Sequence, residues 1–175
     1  AGFAHYTIPL SRSGTNPIKE FISLVAIAKL LMKIRPDIGH FVTIKPNIYG
    51  GLMARLFRVP ATVFAISGLG SVFSNNANKL QKRLVQNLYN IALNKRRRIV
   101  IFQNEQDRIT LLKATNLPKK DTILIQGSGV DLDDFSYKKE PAGTPVVLMA
   151  CRLLAEKGVF DFVEAARLLA ANNTQ

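Results

Sequence analysis

Two rhythms of apolar residues alternate along this chain. Short runs rich in Val, Ile and Phe read as strands: HYTIPL at 5–10, DIGHFVT at 37–43, ATVFAIS at 61–67, RRIVIFQ at 97–103, TILIQ at 122–126 and TPVVLMA at 144–150. Between them apolar positions recur at helical spacing, over 16–34, 46–57, Asn76 to Asn94, 104–115 and the stretch that follows 151. Asn16 stands where a helix cap belongs with Pro17 in the first turn, and Pro46 opens the next helix. In the last helix Val159, Phe160, Phe162, Val163, Ala166, Leu168 and Leu169 make the apolar face. Apolar strands separated by helices are the mark of parallel sheets buried on both sides. The fold class expected is α/β and doubly wound: a Rossmann-like parallel sheet with helices on both faces.

One segment breaks the alternation. GVDLDDFSYKKEPAGTP, 129–145, is polar and carries Pro141, Gly143 and Pro145, as a linker between two lobes would; a long surface loop would look the same. The chain has 175 residues, 47% of them hydrophobic, which is ample for a core and excludes a disordered chain. FISLVAIAKLLMKI at 21–34 is shorter than the roughly 20 residues of a membrane span and is interrupted by Lys29 and Lys33, so it reads as a packed helix. AGFAHYTIPL opens in mid-pattern without an initiating Met, and a fragment of a longer chain is expected.

Charge and cysteine usage narrow the partners. With 24 Lys and Arg against 12 Asp and Glu the formal charge is +12, which calls for anionic partners: nucleic acid, phospholipid or phosphorylated small molecules. Cys151, the single cysteine, excludes an intrachain disulfide framework and any multi-cysteine metal site, fits a reducing cytosol, and reads as a small buried side chain.

In a parallel open sheet ligands bind beyond the carboxyl ends of the strands, where helix amino ends point outward. The residues placed there are His40 to Asn47, Ser67 to Phe73, Asn104 to Asp107, Gly127 to Asp131 and Cys151 to Gly158. Four stretches among them carry a resemblance. TIKPNIYGGLMARLFRVP (43–60), ISGLGSVF (66–73), GSGVDLDDF (127–135) and CRLLAEKGVFDFVEAARLL (151–169) resemble glycosyltransferase family 4, whose GT-B fold sets two Rossmann-like domains face to face. The first two are closest to bacterial members that extend sugar chains on undecaprenyl diphosphate in O-antigen, capsule and N-linked glycan pathways.

The resemblance implies a partial GT-B enzyme: an acceptor-side domain over 1–128 lacking its first strand-helix unit, a linker over 129–144, and the truncated start of the donor domain, its first strand and helix, over 145–175. It implies transfer of a hexose or N-acetylhexosamine, with retention and without metal or other cofactor, from a nucleotide sugar of the UDP type to a lipid-linked saccharide. The place implied is the cytoplasmic face of the bacterial inner membrane, with the enzyme peripheral. The 175 residues alone are expected to be inactive, because the segment that binds donor sugar and ribose would lie beyond Gln175.

It also assigns residues. Arg152 and Lys157 would hold the donor diphosphate and stabilise the departing nucleoside diphosphate, preorganised cations beside the positive end of a helix. Taken alone, two cations at a helix start are more simply solvated side chains; the other motifs, in the family's order, shift the reading. His40 would lie at the cleft mouth near the sugars, with Thr43, Lys45 and Asn47 beside it and Lys45 toward a phosphate. Gly68, Leu69 and Gly70 would turn backbone N–H groups toward sugar or phosphate.

The basic stretch with Lys79, Lys82, Arg83 and Lys95 to Arg98 suits an anionic membrane surface. An alternative is a basic nucleic-acid-binding α/β module. It is disfavoured because the cluster lacks interleaved aromatics and any helix-turn-helix, RRM or zinc signature, so no nucleic acid is expected. The apolar last helix, without a sheet of its own, makes homo-oligomerisation an expectation.

Overall fold

A computed structural model describes residues 2–11, 16–70, 73, 78–127 and 129–172, with Glu156 as backbone only. The chain divides into two compact units, 1–129 and 130–175.

The first unit is a parallel α/β sheet. Its elements are α1 (Pro17–Ile34), β1 (Ile38–Val42), α2 (Ile44–Leu56), β2 (Ala61–Ile66), α3 (Lys79–Leu93), β3 (Arg98–Phe102), α4 (Glu105–Ala114) and β4 (Thr122–Leu124). The four strands lie in the order β1-β2-β3-β4, with Phe41 opposite Phe64, Phe64 opposite Val100 and Phe102 opposite Leu124. The Rossmann-like α/β class read from the sequence is therefore present. Ile48, Phe64, Ile66, Tyr89, Leu93, Val100, Phe102 and Leu111 form one buried cluster, drawn from α2, α3, α4 and the strands between them.

That cluster covers one face of the sheet. Successive strands are successive neighbours, so right-handed crossovers that all advance the same way put α2, α3 and α4 on the same side. The other face carries Ile38, His40, Val42 and Ile123, all exposed, Ile38 to 63%. The second layer of helices that a doubly wound sheet has is not built by the connections among the described residues.

Two stretches read as strands do not pair. Residues 5–10 run along α1, where Ser23 Oγ donates to Pro9 O at 2.5 Å and Lys33 Nζ stands 4.8 Å from the Tyr6 ring centroid. Pro9 has no N–H to give a ladder, and Ser23 takes its carbonyl. Residues 145–150 lie in the second unit, where no described residue forms a strand. Val146, Val147 and Leu148 are exposed there, because a strand exists only through a neighbour. The described part of that unit reduces to a 3-10 turn at Ala155–Lys157 and α5 (Val159–Ala171), none of whose residues is buried. Cys151, read as buried, is exposed.

Helix boundaries follow local chemistry. Asn16 caps α1 as its sequence suggests, its Oδ1 accepting from Ile18 N and Lys19 N at 3.0 and 3.3 Å. Yet α1 is not a packed helix throughout: only Ser23 and Ile27 are buried, and Ile18 and Phe21 face outward. α2 begins at Ile44 rather than Pro46, because Thr43 turns the chain and its carbonyl accepts from Asn47 N. α3 starts at Lys79, with Asn78 Oδ1 accepting from Leu80 N at 2.9 Å; the earlier start at Asn76 lies outside the described residues.

Candidate functional site

Strands β1 to β4 end at Val42, Ile66, Phe102 and Leu124, and the turns beyond them make one rim of the first unit. The sharpest is at Thr43, which has φ 73 and ψ 169, a region rarely entered by a residue with a Cβ. Thr43 N donates to Ala65 O at 3.3 Å, so the β1-α2 turn is tied to β2. Its side chain makes no cap hydrogen bond, which leaves the first N–H groups of α2 beside an exposed hydroxyl. Next along the rim, Gly70 has φ 67, and a Cβ there would come within 2.9 Å of Ile44 Cδ1. This glycine lets the β2-α3 turn lie against the start of α2.

Under the rim the residues are pinned. Asn47 is fully buried and Nδ2 donates to Ala65 O at 3.0 Å, joining α2 to β2. Its Oδ1 and the hydroxyl of buried Tyr89 make no hydrogen bond of good geometry within the structure. Burial pushes the Tyr89 phenol well above its ordinary range, a shift that Asn47 opposes and the Asp107 carboxylate reinforces. Leu69 is buried in the core cluster. The buried Asn47 amide is not open to a substrate, contrary to the sequence expectation, while the buried Leu69 side chain leaves the expectation for its backbone N–H untouched; both side chains hold the rim from beneath.

Lys45 is engaged by Glu20 of α1, Nζ to Oε1 at 2.6 Å, and Tyr49 OH donates to the other oxygen, Oε2, at 2.8 Å. The Lys45 hydrogen bond holds the Glu20 carboxyl below its ordinary value, against the desolvation that would raise it, with Tyr49 adding to the lowering. Burial first, and then the bond to Glu20, push the Tyr49 phenol up to about 12. Glu20 and Tyr49 escaped the sequence reading.

His40 is corrected more sharply. It sits in the middle of β1, paired with Val63, exposed on the sheet face away from α2. It does not stand past the strand end with Thr43 and Lys45, because β1 runs on to Val42. A groove of about 280 Å³ beside that strand is lined by His40, Ile8, Leu10, Ile27 and Leu30 among others, and is mostly apolar.

Arg152 and Lys157 belong to the second unit. Both are exposed, and neither makes a side-chain hydrogen bond or ion pair with another described residue. Two tight backbone bonds, Leu154 N to Arg152 O at 2.7 Å and Lys157 N to Leu154 O at 2.9 Å, link the segments that carry them. Gly158, at φ 75, then starts α5 with no side-chain cap, so Lys157 immediately precedes an open helix amino end. Among the described residues no group of three His, Cys, Asp or Glu is placed to hold a metal ion, and no helix is long and apolar enough to cross a membrane.

The uncapped start of α2 after β1, a cationic pair before another helix start, and the order of the four motifs agree with one further observation: the family described as glycosyl transferase 4-like matches residues 2–104. The chain belongs to that family. Among curated members of the glycosyltransferase world it is 28% identical to the UDP-Gal:alpha-D-GlcNAc-diphosphoundecaprenol alpha-1,3-galactosyltransferase of Escherichia coli, over 96% of this chain and 45% of that protein. It is likewise 28% identical to the N,N'-diacetylbacillosaminyl-diphospho-undecaprenol alpha-1,3-N-acetylgalactosaminyltransferase of Campylobacter jejuni, over 91% of this chain and 46% of that protein. The chain thus spans a little under half the length of each of these relatives.

Proposed function

We propose that these residues form about half of a two-lobed glycosyltransferase that moves a hexose or N-acetylhexosamine from a nucleotide sugar, of the UDP type, to a saccharide carried on undecaprenyl diphosphate. The two relatives, named for galactosyl and N-acetylgalactosaminyl transfer to such acceptors, support the substrate classes. The observation that carries the mechanism is the pair of exposed cations, Arg152 and Lys157, without a side-chain partner among the described residues, at the open start of α5.

A departing nucleoside diphosphate develops negative charge on its bridging oxygen. Fixed cations and helix N–H groups aimed at that oxygen stabilise the transition state without reorganising. With those cations supplied by side chains, the reaction proceeds without metal. Retention follows if the acceptor hydroxyl attacks on the face the nucleotide leaves, with the departing phosphate taking its proton.

The first unit is the acceptor side in this reading. Thr43 and the Gly68 to Gly70 turn present hydroxyl and backbone groups on the rim, and Lys45 reaches a phosphate only by sharing its ammonium with Glu20. His40 is outside this machinery because of its place in mid-strand. The enzyme works at the cytoplasmic face of the inner membrane, held there peripherally by basic surface, and the 175 residues alone do not turn over.

Isothermal titration of UDP and UDP-N-acetylhexosamine into the full-length protein tests this, beside the Arg152→Ala/Lys157→Ala variant. Binding that the variant loses is the expected result. If neither protein binds a nucleotide sugar, the two cations are a solvated helix start and the reading is wrong.

A further inference from the structure

Two arginines end helices in a backbone shape that arginine disfavours. Arg35 closes α1 at φ 48 and ψ 57, and Arg58 stands just past α2 at φ 55. Each N–H turns back on its own helix, Arg35 N donating to Leu31 O at 2.8 Å and Arg58 N to Arg55 O at 3.3 Å. Glycine or asparagine would end a helix this way with less steric cost. Among the described residues other than glycine, Thr43 on the rim is the third with a left-handed φ. Backbone strain of this kind gathers at sites where a particular side chain is wanted.

The helices themselves do not need these charges. A cation favours the negative carboxyl end of a helix, but Lys33 and Arg55 already stand in the last turns of α1 and α2. Nor do the two guanidinium groups tie the fold together. Both arginines are exposed, and neither makes a side-chain hydrogen bond or ion pair with another described residue.

What they share is a cavity. Arg35 and Arg58 line the same hollow of about 510 Å³, beside the residues that lead into β1 and β2 and so at the opposite end of the sheet from the rim. That volume is in the range of small-molecule sites. Leu31, Met32, Phe57 and the buried Val59 give it an apolar wall. Asp37 lines it too, without an ion pair to either arginine, so the lining holds two guanidinium groups against one carboxylate.

We infer that this cavity is a second ligand site, for a phosphomonoester that carries an apolar ring: the phosphate goes to the Arg35 and Arg58 guanidinium groups and the ring to Leu31, Met32 and Phe57. The planar fork of a guanidinium matches phosphate oxygens, and these two give up no protein partner when they bind. The lining also discriminates. A bare inorganic anion leaves the apolar wall wet, and an uncharged ring leaves the cations unused. Because the cavity lies away from the carboxyl ends of the strands, its occupant is neither donor nor acceptor of the reaction proposed above, and the site does not depend on that reaction.

The full-length protein is titrated calorimetrically with phenyl phosphate, inorganic phosphate and phenol. Phenyl phosphate is expected to bind about tenfold more tightly than either of the others. Arg35→Gly/Arg58→Gly is expected to lose at least about tenfold of that affinity while melting no lower than the wild type, since glycine relieves the left-handed φ. Arg152→Ala/Lys157→Ala is expected to bind phenyl phosphate as the wild type does.

No binding of phenyl phosphate by the wild type, equal binding of inorganic phosphate, or full binding by the glycine variant overturns the inference. So does a lower melting temperature for the glycine variant, which would show that the arginines serve the fold. Loss of phenyl phosphate binding in Arg152→Ala/Lys157→Ala overturns it as well, because the anion is then held at the start of α5. Nucleotide-sugar titration on the same samples separates the two readings: phenyl phosphate binding without nucleotide-sugar binding keeps the cavity and removes the transferase, and the reverse removes the cavity alone.

Discussion

Glu20 uses both carboxylate oxygens to join α1 to α2, one on the Lys45 ammonium and one on the Tyr49 hydroxyl. Its ionised form is favoured by folding, so its folded pKa lies below the unfolded one. The sign follows: this stabilisation is complete above the ordinary carboxylate range and is lost as pH falls through the lowered folded value. Glu20→Gln is therefore expected to cost about 1.5–3 kcal/mol near neutral pH, the range for a hydrogen bond to a charged group. The gap to wild type should narrow as acid protonates Glu20. Urea unfolding of both proteins at neutral and acid pH measures it, and a gap that does not vary with pH would show that Glu20 is held by shape rather than charge. Tyr49 titrates oppositely: with its phenol raised to about 12, it contributes stability fully below pH about 10, lost as pH rises through about 12.

At the scale of elements, α2 is where local rules and packing meet most tightly. Gly51 faces α3 and β2, and a Cβ on it would stand 2.9 Å from Ala92 Cβ, 2.9 Å from Phe64 Cε1 and 3.1 Å from Ala92 O. One of those neighbours is backbone, so the helices must move apart. Gly51→Ala, which on helix propensity alone would stabilise α2 by up to about 1 kcal/mol, is instead expected to destabilise by roughly 1–3 kcal/mol. A melting curve decides between propensity and packing.

The same element shows what a sequence can carry. Apolar alternation located β1 to β4 because each strand's periodicity is local, and Asn16 announced α1 because a cap acts within three residues. HYTIPL and TPVVLMA have the same local pattern, but a strand also needs a neighbour, and that is settled elsewhere in the chain. The Glu20–Lys45 pair spans 25 positions, and nothing in either residue's surroundings names the other. His40 was misplaced by two residues of strand, which leaves it on the same face as Val42 but about two residues short of the strand's carboxyl end.

For the first unit as a whole, the governing fact is a sheet whose connecting helices, among the described residues, lie on one side. Strand order β1-β2-β3-β4 advances in a single direction, and handedness then leaves the opposite face to be covered by something other than α2, α3 and α4. That face offers Ile38, Val42 and Ile123 at roughly half exposure or more, and Val63, Ala65 and Ile101 between them are only partly covered. Contiguous apolar surface of this kind drives association when no other segment reaches it. The 175-residue chain, prepared by itself, is therefore expected to self-associate at micromolar concentration in sedimentation velocity, and Ile38→Lys/Ile123→Lys to shift it toward monomer. Because Ile38 and Ile123 lie on the first and last strands of the sheet, the double substitution charges both margins of the face while leaving the buried cluster on the other side untouched. If the chain is monomeric without the change, the face is satisfied by the chain itself. If it associates and the variant does too, the contact runs through another exposed apolar surface, such as the side of α5 where Phe160 is 74% exposed.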